Sequence, residues 1–231
     1  MIEKNSTTST NDDARALALA GAPHGEAVLA RAQSLGRGRD GRAFASPAGG
    51  MYLSVVLRPT RAPAEWSLLP LVAGLAVVDA LRGSAGHVVA SLKWPNDVMV
   101  GDAKLGGVLV ESRFDAHPFA VVGIGLNVEA APVPEATSLR ALGVAAHVDA
   151  RGLADAVLAR LLARVDEWER GGARAVMRDV RAAMGTLGRR VAWGEKEGRA
   201  VDVAEDGALV VEAGDGERVE VRVGDVRIRV L

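Results

Sequence analysis

At Gly185 the chain changes rhythm. Downstream of it, short alternating segments recur at 191–193, 200–203, 208–211, 219–223 and 227–231, separated by Gly and Asp as in Glu205-Asp206-Gly207 and Gly214-Asp215-Gly216. Side chains along a strand alternate between two faces, so five such segments in about forty residues predict a small β-barrel. Upstream the elements are longer and of both kinds. The chain is therefore expected to be α+β, with a larger unit over 1–185 and a barrel over 186–231.

In the larger unit, Ser9-Thr10-Asn11-Asp12-Asp13 precedes an Ala/Leu-rich run. Short hydroxyl and carboxylate side chains accept bonds from the free N–H groups of a first helical turn, so a helix is expected to start near Thr10 and stop before Gly21. Strands are expected at 27–32, 51–57, 88–94, 98–100, 106–112 and 119–128, where apolar and β-branched residues cluster. The run 66–81 is apolar but contains Pro70 and Gly74, ends in charge and is too short to cross a bilayer, which predicts a buried helix. Leu153, Val157, Leu161, Val165 and Trp168 recur at helical spacing up to Gly171-Gly172, and a second helix is expected over 173–184.

Composition removes several functions. With 28 basic and 29 acidic residues there is no global field for nucleic acid or an anionic membrane, so an anion site must be local. The 0 cysteines exclude thiolate catalysis, disulfides and cysteine-held zinc. His24, His87, His117 and His147 are too scattered for a histidine metal site or a Ser–His–Asp triad. The first residues lack the apolar stretch of a signal peptide, and the expected location is the cytoplasm.

Three stretches remain. Gly36-Arg37-Gly38-Arg39-Asp40-Gly41-Arg42 joins three glycines, which let backbone approach a ligand, to three arginines suited to phosphate or carboxylate oxygens. It also spells the dinucleotide fingerprint, but no helix can start in Ala43-Phe44-Ala45-Ser46-Pro47, as that fingerprint requires. The choice is between an anion cradle and a solvated surface loop. In Lys93-Trp94-Pro95-Asn96-Asp97, followed by Lys104-Leu105-Gly106-Gly107, a proline-fixed turn presents Asn96 and Asp97, with Lys104 nearby. Asp97 is a candidate Mg²⁺ ligand and Lys104 a candidate phosphate partner, against the alternative of an ordinary turn with exposed lysines. Gly123-Ile124-Gly125-Leu126-Asn127-Val128 puts two glycines and an Asn into an apolar strand. That pattern fits either close contact with a bound group or a structural Asn at a strand end.

Together, and in this order, Ser9-Thr10-Asn11, Gln33, the Gly/Arg stretch, Ser46-Pro47 with Tyr52-Leu53-Ser54, and the two later motifs resemble biotin protein ligases. The resemblance covers most of the first 130 residues. It implies a mixed β-sheet with helices packed on one side, of the class II synthetase and biotin protein ligase kind, plus a C-terminal SH3-like barrel. It implies ATP-dependent transfer of biotin, through biotinyl-5'-AMP, to a lysine of a biotin carboxyl carrier protein, with ATP, Mg²⁺ and biotin required and no permanently bound cofactor.

Carried over residue by residue, Lys104 and Arg39 are the expected catalytic residues. Ser9, Thr10, Asn11, Gln33, Gly36, Arg37, Gly38, Arg39, Gly107 and Gly125 are expected at biotin. Arg39, Arg42, Phe44, Lys93, Asn96 and Asn127 are expected at the adenylate, and Asp97 at the metal. Two residues depart from the family pattern: Leu35 stands where a small residue is usual, and Phe44 where a tryptophan often stacks on adenine. Repressor members carry an N-terminal helix-turn-helix, for which this chain has no room, so no DNA binding and no membrane association are expected. Monomer and homodimer both remain open. The rival within the fold is a lipoate or octanoate ligase, and the rival from another class is a non-catalytic binding module.

Overall fold

A computed structural model of the chain describes residues 1–144, 148–222 and the backbone of 228–230. The expected strand limits Val223, Arg227 and Leu231, and also His147, lie outside the described residues.

The first half runs β1 (Ile2–Lys4), α1 (Thr10–Leu19), β2 (Ala27–Ala30), β3 (Met51–Leu57), α2 (Leu69–Ser84), β4 (Ala90–Lys93), β5 (Asp97–Val100), β6 (Ala103–Arg113) and β7 (Phe119–Leu126). Its strands form one mixed sheet in the order β1-β2-β3-β7-β6-β5-β4, antiparallel except for the parallel pair β1–β2. Strand β1 escapes sequence reading because three mostly polar residues carry no period. The helix expected at 66–81 begins at Leu69, after a 3₁₀ turn over Pro63–Leu68. Pro70 sits in its first turn, where a missing N–H leaves no bond unmade. The strand expected from Gly106 reaches back to Ala103, so Lys104 stands inside β6 rather than before it.

Alternation divides the central strands between two faces. Leu53, Val55 and Leu57 of β3 and Ala120, Val122 and Ile124 of β7 join the main core with α2. The same core takes α3 (Ala150–Gly171) and α4 (Ala173–Ala183). Val56, Phe119 and Val121 face the other way and form a smaller cluster with Ala14 and Ala18 of α1. The expected helical layer on one side is α2, α3 and α4, and α1 rests alone on the opposite face. It covers only part of that face, and the remainder holds the cavity described below.

Asp149 caps α3 by accepting from the Gly152 N–H at 2.7 Å. Gly172, at φ 66°, ends α3 in the left-handed region that favours glycine. Trp168 is fully buried, with Arg61 5.9 Å from its ring centroid. Its indole N–H has no partner among the described residues. Trp168→Ala is therefore expected to cost about 3–5 kcal/mol in denaturant unfolding. Trp168→Phe, which gives up no hydrogen bond, is expected to cost clearly less than that.

Strands β8 (Arg190–Trp193), β9 (Lys196–Val203), β10 (Leu209–Ala213), β11 (Arg218–Val221) and β12 (Ile228–Val230) form a five-stranded antiparallel sheet in the order β11-β10-β9-β8-β12, as in a small SH3-like barrel. Its apolar side chains, Val191, Trp193, Val203 and Val211 among them, merge into the main core. Three hydrogen bonds stitch the two sheets beside the Trp94-Pro95 turn. The Gly185 N–H donates to Leu92 O at 2.8 Å, the Trp94 N–H to Thr186 Oγ1 at 2.9 Å, and the Trp94 indole N–H to Gly207 O at 2.9 Å.

Candidate active site

The uncovered face of the sheet is lined with small residues because of strand register. Gly125 pairs with Gly107 and Gly123 with Leu109 across β7–β6, and Tyr52 pairs with Gly125 across β3–β7. Side chains at these positions point to the same face as Glu111, two residues beyond Leu109. Three glycines there leave a depression, which the Gly36–Arg42 loop roofs and the N-terminus of α1 closes at one end. The resulting cavity is about 460 Å³.

At the α1 end the polar groups are buried and linked. The Thr10 N–H donates to Gln33 Oε1 at 2.8 Å and Thr10 Oγ1 donates to the same oxygen at 3.0 Å. Gln33, not Ser9, thus satisfies the first helical turn, since Ser9 occupies the N-cap position without a side-chain capping bond. Ser54 Oγ contacts Thr10 Oγ1 at 2.7 Å and Asn11 Oδ1 at 2.6 Å. Asn11 Nδ2 donates to Glu111 Oε2 at 2.6 Å. Asn11 fills the space over Gly123, where a Cβ would lie 2.1 Å from Asn11 Oδ1.

The roof is a small hairpin. Gly38 N–H donates to Arg42 O at 2.7 Å and Phe44 N–H to Gly36 O at 2.8 Å. At its tip Asp40 takes φ 58°, a left-handed conformation that Asp tolerates better than most residues. Gln33 Nε2 donates to Ser46 Oγ, which in turn donates to Phe44 O, each at 2.9 Å, and so ties the hairpin base to the helix cap. The Phe44 ring lies over Gly125, where a Cβ would come within 2.5 Å of it, and Lys104 Nζ is 5.8 Å from the ring centroid.

At the far wall Lys104 Nζ donates to Asp97 Oδ1 at 2.5 Å. Asn96 ties the turn to β6: its Nδ2 donates to Val108 O at 2.7 Å and its carbonyl accepts from the Val108 N–H at 2.8 Å.

Of the expected residues, Ser9, Thr10, Asn11, Gln33, Arg37, Gly38, Arg39 and Arg42 converge on this cavity from one side. Phe44, Lys93, Asn96, Asp97, Lys104, Gly107 and Gly125 line it from the other. Gly36 and Asn127 do not line it. Gly36 is packed under the hairpin, where a Cβ would meet Ser46 Oγ at 2.3 Å. Asn127 is buried, with Nδ2 turned to Thr137 O at 3.0 Å and Lys104 O at 3.5 Å, so it fixes the backbone of the lysine strand. Asp12 and Glu111 were not among the expected site residues, and Tyr52 entered only as part of the resemblance, without a role. The alternation that places Gly107 on this face also places Glu111 there, and Asp12 follows Asn11 in the first turn of α1.

Tyr52 is buried beneath the hairpin, its hydroxyl donating to Pro47 O at 2.9 Å. Burial pushes its phenol up to about 12. It is the sole tyrosine of the chain, so near-ultraviolet difference absorbance is expected to show one phenolate titration centred near pH 12. Because the folded phenol is the weaker acid, its contribution to stability is fully present below the unfolded value, about 10, and is lost as pH rises through the folded one. A midpoint at the unfolded value would mean that the ring is solvated.

The sequence profile of the Biotin/lipoate A/B protein ligase family matches residues 3–128, and that of the biotin protein ligase C-terminal domain matches 186–229. A biotin–[acetyl-CoA-carboxylase] ligase of Mycobacterium tuberculosis is 40% identical over 95% of this chain and 85% of its own length. The chain belongs to the biotin protein ligases. Among solved structures, this ligase chain is similar to the Aquifex aeolicus biotin protein ligase in complex with biotin and ATP. The two are 30% identical at a TM-score of 0.85, over 100% of this chain and 98% of the other. It is also similar to the Leishmania major biotin protein ligase in complex with biotinyl-5-AMP, 30% identical at a TM-score of 0.67, over 96% of this chain and 97% of the other.

Proposed function

We propose that the ligase activates biotin at this cavity as biotinyl-5'-AMP and passes the biotinoyl group to a lysine of a biotin carboxyl carrier protein, with acetyl-CoA carboxylase as the class of acceptor. One observation carries the assignment of the site: Lys104, Asn96, Phe44 and the arginine-bearing hairpin open onto one cavity beside the N-terminus of a helix. The larger unit over 1–185 is the proposed seat of both half-reactions, with the barrel over 186–231 bracing the Trp94 wall. The proposed location is the cytoplasm.

In the first half-reaction a biotin carboxylate oxygen attacks the α-phosphorus of ATP and pyrophosphate leaves. Two anions must approach, so fixed positive charge is required where they meet. Lys104 is the proposed source, with Arg39 and Arg42 of the hairpin beside it. Ser9, Thr10, Asn11 and Gln33 form the polar end of the cavity and are the proposed ligands of the ureido ring. Phe44 is the proposed stacking surface for adenine and Asn96 its polar neighbour, with Lys93 facing the phosphates.

In the second half-reaction the carrier amine attacks the mixed anhydride carbonyl and AMP leaves, so no covalent enzyme intermediate forms. The anhydride hydrolyses in water, and the hairpin roof serves to exclude it. Asp97 is the proposed contact for Mg²⁺. Among the described residues no three His, Asp or Glu side chains converge. A single carboxylate suits magnesium held mainly by nucleotide phosphates, where it neutralises their charge.

The test is transfer of labelled biotin to a purified carrier domain, run beside thermal shifts with biotin, lipoate and octanoate. Biotin alone is expected to raise the melting temperature at modest concentration, because only a ligand of the folded state stabilises it. A shift with lipoate and none with biotin would hand the site to the rival acid.

A further inference from the structure

Arg37 does not face the cavity as a free cation. Its guanidinium is bidentate on Asp12, with NH1 to Oδ2 at 2.6 Å and NH2 to Oδ1 at 2.9 Å, and NH2 also reaches Glu111 Oε2 at 3.3 Å. Three separate elements meet there: the hairpin roof, the first turn of α1 and strand β6. Glu111 is bonded in addition to Asn11 Nδ2, so the same carboxylate touches the roof and the polar end of the cavity. Arg15 also pairs with Asp12 Oδ1 at 2.9 Å, so the cluster sets two guanidiniums against two carboxylates, and Arg37 has no fork left for a ligand anion.

We propose that Asp12 and Glu111 are positioning residues that hold the hairpin roof over the site through Arg37, which acts as a strut and not as a ligand of the substrate carboxylate. The proposal rests on the ligase reading for its catalytic consequence and on geometry alone for the clasp. The Arg37 guanidinium holds the Asp12 carboxyl below the usual carboxylate range, as a charged fork on a carboxylate should. The three side chains are about one-third exposed, so salt weakens the clasp without abolishing it. Of the other two arginines of the roof, Arg42 reaches, among the described residues, only Asp40 Oδ2, at 3.4 Å, and the Arg39 carbonyl, both within the exposed hairpin, so Arg42 remains nearer to solvent than Arg37.

The clasp is tested without any ligand. Arg37, Arg39 and Arg42 are trypsin sites, and cleavage within the roof reports how often it opens. In Asp12→Asn, Glu111→Gln and the double variant, roof cleavage is expected to run roughly ten-fold faster than in wild type at low salt, because cleavage tracks the open population. Added salt is expected to speed the wild type and leave the double variant unchanged. Asp12→Glu, which keeps the charge, is expected to recover most of the protection. Glu111→Gln keeps an acceptor for Asn11, and circular dichroism melts confirm that each variant is folded before it is cleaved. If a variant does not fold, the salt dependence of the wild type decides alone. Wild-type cleavage rates in folded variants, or a wild type indifferent to salt, overturn the clasp whatever the protein binds.

In the transfer assay the same variants are expected to raise KM for biotin and the fraction of adenylate released into solution, with kcat held within about two-fold. A fall in kcat at unchanged KM would make the carboxylates part of the chemistry and overturn the positioning role. Inactive wild type with a salt-sensitive roof would sink the ligase reading and leave the clasp standing.

Discussion

Lys104→Ala is expected to fold as wild type does and to lose biotin-dependent ATP–pyrophosphate exchange by about a thousand-fold. The lysine is part of β6, but its side chain leaves the strand into the cavity and is more than one-third exposed, so its removal opens no hole in the core. What disappears is the one lysine that β6 places on this wall, held at 2.5 Å by Asp97 and 5.8 Å from the Phe44 ring centroid. Charge of that kind matters most as pyrophosphate departs, so the loss should fall on kcat more than on KM. Asp97→Ala is expected to be milder at saturating Mg²⁺, because it leaves the lysine in place, and to raise the Mg²⁺ concentration needed for exchange. Exchange at the wild-type rate in a folded Lys104→Ala protein would take the lysine out of the mechanism.

Gly123→Ala is expected to lower stability by about 2–4 kcal/mol, a melting shift of roughly 4–16 °C for a chain of this size. A methyl group at Gly123 would sit 2.1 Å from Asn11 Oδ1 and 2.9 Å from its Cγ. Asn11 has nowhere to retreat without breaking the bonds to Ser54 Oγ and Glu111 Oε2 at 2.6 Å each, which leaves buried polar groups unpaired. The same shift disturbs Thr10, bonded to Ser54, and with it the polar end proposed for biotin. Biotin affinity should therefore fall further than stability alone explains. Asn11→Ala in the Gly123→Ala background should restore part of the melting temperature, since it vacates the space the new methyl needs, while biotin affinity stays low. Additive losses in the double variant would mean that the two side chains do not compete for one volume.

Local features were legible wherever a periodic or chemical signal was strong. The apolar run of α2, the every-fourth-residue spacing of Leu153, Val157, Leu161 and Val165 in α3, and the Gly/Asp-punctuated strands after Gly185 all formed the expected kinds of element. Strand β1 and the start of β6 were illegible because short or polar strands owe their existence to the neighbour they pair with, and pairing is not local. The motif residues were legible as chemistry, but their assignments were not equally so. Asn127 fitted either a ligand contact or a structural Asn at a strand end, and the resemblance put it at the adenylate; what its amide meets, the Lys104 and Thr137 carbonyls, comes from other segments of the chain. Gly125 suggested close approach to a ligand, whereas the atom nearest to a Cβ there belongs to Phe44 of this chain.

By itself the sequence determined the chemical inventory: a glycine and arginine loop, two lysines around an Asn-Asp turn, no thiol and no net positive charge to attract nucleic acid. It also determined the change from mixed α and β elements to short strands, because hydrophobic period is written locally. Only the tertiary structure decided that α1 covers part of a sheet face and leaves the remainder to the cavity, and that Arg37 spends its fork on Asp12 and Glu111. The physical reason is range. Periodicity and turn chemistry act over a few residues, while the partner of a buried amide or a guanidinium is chosen by whichever strand or helix the packed core brings within about 3 Å.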